Sequence, residues 1–131
     1  MLLQIFGLNH NTAPVQIRER IIFSGDDVTR ALSQLLNLDG IEEVVLLSTC
    51  NRTEFYVVLN EAGAVMFKAW LQNDQNLDAK TRKALFTLQH NDAIKHIFRV
   101  ACGLDSMVLG EPQILGQLKD AYRQAQQAGS V

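Results

Sequence analysis

Ser48-Thr49-Cys50-Asn51-Arg52 sets a thiol among hydroxyls, an amide and a guanidinium, directly after the apolar run Val44 to Leu47. These residue types at this spacing suit nucleophilic chemistry. The thiolate is the nucleophile, and a cysteine beside a fixed positive charge at the rim of a sheet can hold thiolate at neutral pH. Arg52 has a second use, because its planar fork can grip a substrate carboxylate bidentately. Thr49 and Asn51 offer a hydroxyl and an amide that could orient a carbonyl or stabilise an oxyanion. Each residue also has a plainer reading. Free cysteine often acts as a small apolar filler, Arg52 can pair with Glu54 or another surface acid, and Asn51 permits a tight turn. If Thr49 to Arg52 is extended, Cys50 and Arg52 share a face by period-two alternation; a turn starting there removes that relation.

His96 lies between Ala93 and Val100 at helical spacings of three and four, which places it near a buried stripe as either a hydrogen-bonded structural residue or a general acid or base. His10, in a polar loop, and His90, just before a helix, fit turn or cap roles. The segment Gly103-Leu104-Asp105-Ser106-Met107-Val108-Leu109-Gly110-Glu111-Pro112-Gln113 mixes glycines, acids and bare apolar residues, as loops that line sites do.

The elements that must position these groups follow from hydrophobic period and turn chemistry. Leu2 to Asn9 alternates loosely and reads as a strand, and Val15 to Phe23 as a short helix opened by Pro14. Ser24-Gly25-Asp26-Asp27 has an N-cap pattern, and Val28, Ala31, Leu32, Leu35 and Leu36 mark an amphipathic helix ending near Asp39-Gly40. Glu43 to Ser48 and Glu54 to Leu59 are continuous apolar strands whose two faces are both expected to be covered. Glu61 to Asn73 reads as a helix with Val65, Met66, Ala69 and Trp70 on one stripe. Asp78 to Ala84 is a short helix leading into the strand Leu85 to Gln89. The order strand, helix, strand, strand, helix, strand predicts an α+β fold of the ferredoxin-like split βαβ type, a four-stranded antiparallel sheet covered by helices. Two further helices follow. One is capped by Asn91-Asp92, buries Ala93, Ile94, Ile97, Phe98 and Ala101, and ends at Gly103; the other, Gln113 to Gln127, carries a narrow seam of Ile114, Leu115, Leu118, Ala121, Tyr122 and Ala125.

The chain has 131 residues, 47% of them hydrophobic and 20% charged, which is enough for one domain with its own core. Twelve basic against fourteen acidic side chains give a net charge of −2, which argues against a domain that holds nucleic acid mainly by neutralising phosphates. The run Lys80-Thr81-Arg82-Lys83 reads as the solvated side of a helix. Cys50 and Cys102 form no CxxC pair and have no histidine at ligand spacing, so neither zinc nor a disulfide is expected, and Cys102 is expected in the core. No apolar stretch reaches membrane-span length and the N-terminus lacks the marks of a signal peptide, so the expectation is a cytoplasmic protein with no membrane partner.

Ser48-Thr49-Cys50-Asn51-Arg52-Thr53-Glu54, followed by Gly103-Leu104-Asp105-Ser106 and Leu109-Gly110-Glu111-Pro112-Gln113-Ile114-Leu115-Gly116-Gln117, closely resembles the glutamyl-tRNA reductase family. Gly7-Leu8-Asn9-His10-Asn11-Thr12-Ala13-Pro14 and Arg18-Glu19-Arg20 are similar to that family's opening. The resemblance implies an NADPH-dependent reduction of glutamyl-tRNA(Glu) to glutamate-1-semialdehyde, the entry to tetrapyrrole (porphyrin) biosynthesis. It implies Cys50 as the nucleophile that forms a glutamyl thioester and His96 as an acid/base or ester-orienting residue. It further implies substrate contacts from Thr49, Cys50, Asn51, Arg52, Ser106, Glu111, Pro112, Gln113 and Gln117. Residues 1–110 would be the catalytic unit that binds glutamyl-tRNA, and residues 111–131 the start of a long linking helix. The family's NADPH-binding domain and dimerisation helix would follow, and no GxGxxG after a strand is found here. The expectation is therefore a fragment that carries the acyl-transfer half, with no metal, from a protein that homodimerises and meets glutamate-1-semialdehyde aminomutase. Two rivals stand beside it: a non-catalytic ferredoxin-like binding module that uses Cys50 only for packing, and a stand-alone thiol esterase.

Overall fold

The computed structural model describes residues 1–75, 77–104 and 113–131. Strands β1 (Leu2–Asn9), β2 (Ile41–Ser48), β3 (Arg52–Leu59) and β4 (Phe86–Gln89) form one four-stranded sheet in the order β2-β3-β1-β4. Every neighbouring pair is antiparallel, with Gly7 opposite Glu54 and Asn9 opposite Arg52 in the β1–β3 register. With helix α2 (Asp26–Leu36) between β1 and β2 and helices α3 (Glu61–Asn73) and α4 (Ala79–Ala84) between β3 and β4, this is the expected split βαβ arrangement.

Both faces of the sheet are covered, which explains why β2 and β3 read as apolar without interruption. On one face, Phe6, Leu8, Val44, Leu46, Phe55, Val57 and Leu59 pack with Val28, Ala31, Leu32 and Leu35 of α2 and Phe67, Trp70 and Leu71 of α3. On the other, Ile5, Leu47 and Tyr56 pack under helices α5 (His90–Ala101) and α6 (Gln113–Ala128) through Ala93, Val100, Ile114 and Ala121. Period-two alternation along β3 thus divides it into an aromatic-aliphatic side, Phe55, Val57 and Leu59, and a side that presents Arg52, Glu54 and Tyr56 to α5 and α6.

Several helix details differ from the sequence expectation, each for a tertiary reason. The Val15 to Phe23 segment is a short α1 (Val15–Arg18) followed by a 3-10 turn (Glu19–Ile21), because its exit is tied to the sheet: Thr53 Oγ1 donates to the Ile21 carbonyl at 2.6 Å, and Phe23 N–H donates to Ser48 Oγ at 3.0 Å. Ser24 does not cap α2; Gly25 occupies the N-cap position at φ 51° with no side-chain cap, and the helix ends at Leu36. In α3 the buried face is Gly63, Phe67, Trp70 and Leu71, whereas Val65 is 68% exposed. Phe67 decides that rotation by stacking on Phe6 with ring centroids 4.4 Å apart and meeting Phe55 edge-on at 5.2 Å.

Helix α5 starts at His90, a residue earlier than the Asn91-Asp92 cap, since the chain bends from β4 straight into the helix at a His90 φ of 55°. Its buried residues are Ala93 and Val100 with Ile97 partly covered, while Phe98 is 67% exposed and Ile94 also faces solvent. The helix closes as expected at Gly103, φ 73°, with Gly103 N–H on the Val100 carbonyl and Leu104 N–H on the Arg99 carbonyl, a Schellman ending that favours glycine. Cys102, expected in the core, is exposed at the C-cap of that helix. Helix α6 buries Ile114, Ala121 and Ala125 but leaves Leu115 and Tyr122 of the expected seam exposed. It lies along β2, and Ser130 just beyond it donates its hydroxyl to the Val44 carbonyl at 2.8 Å while its own carbonyl accepts from Val44 N–H at 2.8 Å. That contact covers polar backbone groups of an edge strand.

Candidate functional site

The β2–β3 connection is a tight turn, and the alternative in which Thr49 to Arg52 runs extended is ruled out. Thr49 Oγ1 accepts from the backbone N–H groups of Asn51 at 3.1 Å and Arg52 at 3.2 Å, and Thr49 N–H donates to the Arg52 carbonyl at 2.7 Å. A threonine hydroxyl that caps its own turn is a common way to hold such a bend. Below it, Thr53 Oγ1 gives its one proton to the Ile21 carbonyl, so the 3.1 Å contact to Ser48 Oγ has Ser48 as donor, and Ser48 in turn accepts from Phe23 N–H. The turn is therefore braced from the α1–α2 connection, and Cys50 stands exposed at its tip.

Arg52 leaves the turn in a different direction. Its side chain is 1% exposed and faces the α5 and α6 side of the sheet, where Nη1 lies 3.3 Å from Glu54 Oε2. The pairing with Glu54 foreseen as a surface salt bridge is thus a buried one. Glu54, 0% exposed, also accepts from Tyr56 through Oε1 at 2.6 Å and contacts His96 Nε2 through Oε2 at 2.7 Å. Burying a carboxylate is tolerable only when it is paired and hydrogen-bonded, and here three partners converge on it. Gly7 makes the room. A Cβ at Gly7 would lie 2.6 Å from the Thr53 carbonyl oxygen and 3.0 Å from Glu54 Cγ, so the position opposite Glu54 admits no side chain. His96 rises from α5 over this cluster with its ring 5.5 Å from that of Phe86, partly buried as its place between Ala93 and Val100 suggested.

Of the residues singled out in the sequence, the structure gathers Arg52 and His96 on one carboxylate and sets Thr49, Cys50 and Asn51 in the turn that precedes Arg52. Gln117 on α6 joins Ser48 and Thr49 in lining a cavity of about 240 Å³ between α2, β2 and α6. Gln113 is exposed in the first turn of α6. Ser106, Glu111 and Pro112 lie outside the described residues. Glu54, Tyr56, Ser48 and Gly7 were not read as site residues. The available signal was the alternation of Arg52, Glu54 and Tyr56, three polar side chains at period two on one face of the strand, together with a glycine in the strand that pairs with it. Among the described residues no group of three or more His, Cys, Asp or Glu is placed to hold a metal ion, and no helix is long and apolar enough to cross a membrane.

This arrangement offers an exposed thiol at a hairpin tip and, within the sheet, a buried arginine–glutamate–histidine cluster; a thiol and a guanidinium are groups that covalent acyl transfer to a carboxylate-bearing substrate can use. The chain is also similar to known proteins over its whole length. The sequence is 47% identical over 132 residues to a glutamyl-tRNA reductase of Pseudoalteromonas atlantica, a match that spans 100% of this chain and 31% of that protein. It is 49% identical over 131 residues to the glutamyl-tRNA reductase of Xanthomonas campestris pv. phaseoli, with 100% and 30% covered. The fold matches the solved glutamyl-tRNA reductase from Methanopyrus kandleri with a TM-score of 0.76 and 32% identity, over 98% of this chain and 29% of that one. The chain thus spans about 30% of the length of the relatives it matches. The family profile of the glutamyl-tRNAGlu reductase N-terminal domain covers residues 6–131, and the chain belongs to that family.

Proposed function

We propose that this chain performs the acyl-transfer half of glutamyl-tRNA reduction, the first step of tetrapyrrole biosynthesis. Cys50 Sγ, as thiolate, attacks the carbonyl carbon of the glutamyl ester; the ester C–O bond breaks, the tRNA leaves, and glutamate stays on sulfur as a thioester. Sulfur suits this step because a thioester is a better hydride acceptor than an oxygen ester and the thiolate departs readily afterwards. The observation that carries the reading is the exposed Cys50 at the tip of a braced turn, two residues before an arginine that is paired with a buried carboxylate. Arg52 is assigned to the glutamyl carboxylate, whose geometry its planar fork matches. Thr49 and Asn51 at the turn, with Ser106, Glu111, Pro112, Gln113 and Gln117, are assigned to binding the glutamyl group, and His96 to acid/base work or to orienting the ester.

The hydride of the full reaction comes from NADPH, whose nicotinamide supplies it when bound. The described residues do not fit that cofactor. Its pyrophosphate needs a glycine-led helix N-terminus free of negative charge, and α2, the helix with glycine at its N-cap, carries Asp26 and Asp27 in its first turn. The same reading assigns residues 1–110 to the catalytic unit and 111–131 to the start of a linking helix, in a cytoplasmic protein whose full-length form homodimerises and hands its product to glutamate-1-semialdehyde aminomutase. The greater length of the relatives supports one element of this reading, that the chain corresponds to one part of a longer enzyme.

The test is acid-quenched mass spectrometry of the chain after mixing with glutamyl-tRNA. A glutamyl adduct that maps to Cys50 and disappears in Cys50→Ser is expected. A verifiably folded chain that forms no adduct and shows no Cys50-dependent deacylation overturns the reading.

A further inference from the structure

We propose that Arg18 is a phosphate receptor, holding a phosphodiester of the tRNA acceptor strand at the end of the sheet that carries Cys50. The proposal rests on the reading above, in which glutamyl-tRNA is the substrate, and adds a group that grips its backbone.

Among the described residues two arginines are buried, Arg18 at 8% exposure and Arg52 at 2%. Their surroundings differ. Arg52 faces the Glu54 carboxylate at 3.3 Å, whereas no carboxylate among the described residues lies within ion-pair distance of Arg18. Arg18 Nη1 donates to the Ala13 carbonyl at 3.2 Å, and Nε is buried without a hydrogen-bond partner. A guanidinium cannot shed its proton, and a charge taken out of water costs heavily unless an anion answers it. Buried donors left unpartnered in this way are places where an ion completes the structure. The planar fork of arginine suits two oxygens of a phosphate in parallel, so phosphate is the anion that fits a nucleic-acid substrate.

The fold places this cation close to the hairpin. The loop before α1 is folded onto the end of β1, with Ala13 N–H donating to the Asn9 carbonyl at 2.9 Å, and Asn9 lies opposite Arg52, two residues after Cys50. The segment after α1 is tied to the same hairpin by Thr53 Oγ1 on the Ile21 carbonyl and by Phe23 N–H on Ser48 Oγ. Arg18 is thereby fastened from both sides to the end of the sheet where the thiol stands. An ester on a terminal ribose is followed directly by phosphates, so an anion receptor at this end meets the strand that trails from the ester. Arg20, just after α1, and Lys80, Arg82 and Lys83 on α4, which packs against α1, are exposed and extend the positive surface. Such a receptor needs no excess of positive charge over the whole domain and so is consistent with the net charge of −2. Phosphate contacts fix orientation and register without reading sequence, which is what presenting an ester to a fixed sulfur requires.

Equilibrium binding of uncharged tRNA(Glu) to the chain over a series of salt concentrations reads the contact. Arg18→Met keeps the bulk of the stem and loses the charge. It is expected to bind about tenfold more weakly and to lower the slope of log affinity against log salt by about one, a change that a merely structural role for Arg18 would not produce. A folded Arg18→Met with the wild-type affinity and slope overturns the proposal, as does a folded wild-type chain that binds no tRNA. Should Arg18→Met fail to fold, Arg18→Lys decides: it keeps the charge but loses the fork, so a several-fold weaker affinity is expected and an unchanged one overturns the proposal. Inorganic phosphate separates the two sources of the anion. If it raises the melting temperature of the wild type while tRNA affinity ignores Arg18, the receptor takes a free anion and the proposal falls. The two readings fail separately: a chain without a Cys50 adduct whose tRNA binding depends on Arg18 defeats acyl transfer alone, whereas a chain that forms the adduct and binds tRNA regardless of Arg18 defeats the phosphate receptor alone.

Discussion

At the scale of single residues, the hairpin sends its two candidate groups in different directions. Cys50 is left in solvent by the turn that Thr49 caps, while Arg52 is turned inward to a carboxylate. Exposure of Cys50 also removes the reading in which it merely fills the core. The motif itself was plain in the sequence, because a thiol, an amide and a guanidinium after an apolar strand are unusual company. The direction of each side chain was not, since it depended on whether Thr49 to Arg52 bends. Gly7 shows how sharply the site is packed. Gly7→Ala is expected to destabilise the domain by about 1–3 kcal/mol, the usual cost of forcing atoms into a full interior, because its Cβ would meet the Thr53 backbone carbonyl rather than a movable side chain. Urea denaturation checks this, and an unchanged midpoint would show that β1 and β3 can separate at Glu54 without cost.

At the scale of elements, helix ends and helix rotation behave differently. Caps are local, and two polar caps form: Asn60 accepts from Gly63 N–H at 2.8 Å to start α3, and Asp78 accepts from Thr81 N–H at 2.8 Å to start α4. The bond from Thr81, with the nearby positive charges of Arg20 and Arg82, holds the Asp78 carboxyl below its ordinary value. A carboxyl with a lowered folded-state pKa contributes stability that is fully present above its unfolded value of about 3.9 and is lost as pH falls through the folded value. Asp78→Asn keeps an amide oxygen for the cap but removes the charge. Its stability is therefore expected to fall less steeply than wild type on acidification from pH 6 to pH 3, as thermal melts across that range would show. Rotation is not local. In α3 and α5 two neighbouring apolar faces competed, and the choice fell to Phe67, which completes an aromatic cluster, and to His96, which has Glu54 beneath it.

At the scale of the whole molecule, the sheet separates two interiors of different character. The α2 and α3 side is an aliphatic and aromatic core centred on Phe67, which is fully buried and touches Phe6, Phe55 and Trp70. Phe67→Ala is expected to cost about 3–5 kcal/mol, seen as a lower midpoint in urea; a loss under about 1 kcal/mol would mean that the neighbours collapse into the space. The α5 and α6 side holds the buried polar cluster of Arg52, Glu54, Tyr56 and His96 beside a smaller set of buried apolar residues. The sequence by itself determined the order of strands and helices, the two-sided covering of β2 and β3 and the Gly103 helix ending, because hydrophobic period, turn residues and glycine geometry act over short stretches of chain. Only the tertiary structure decided that Cys50 and Arg52 part company, that Cys102 is exposed, and that Glu54 joins Arg52, Tyr56 and His96. Such a cluster forms because a buried carboxylate must find donors wherever the fold brings them, and its histidine comes from an element 42 residues away along the chain.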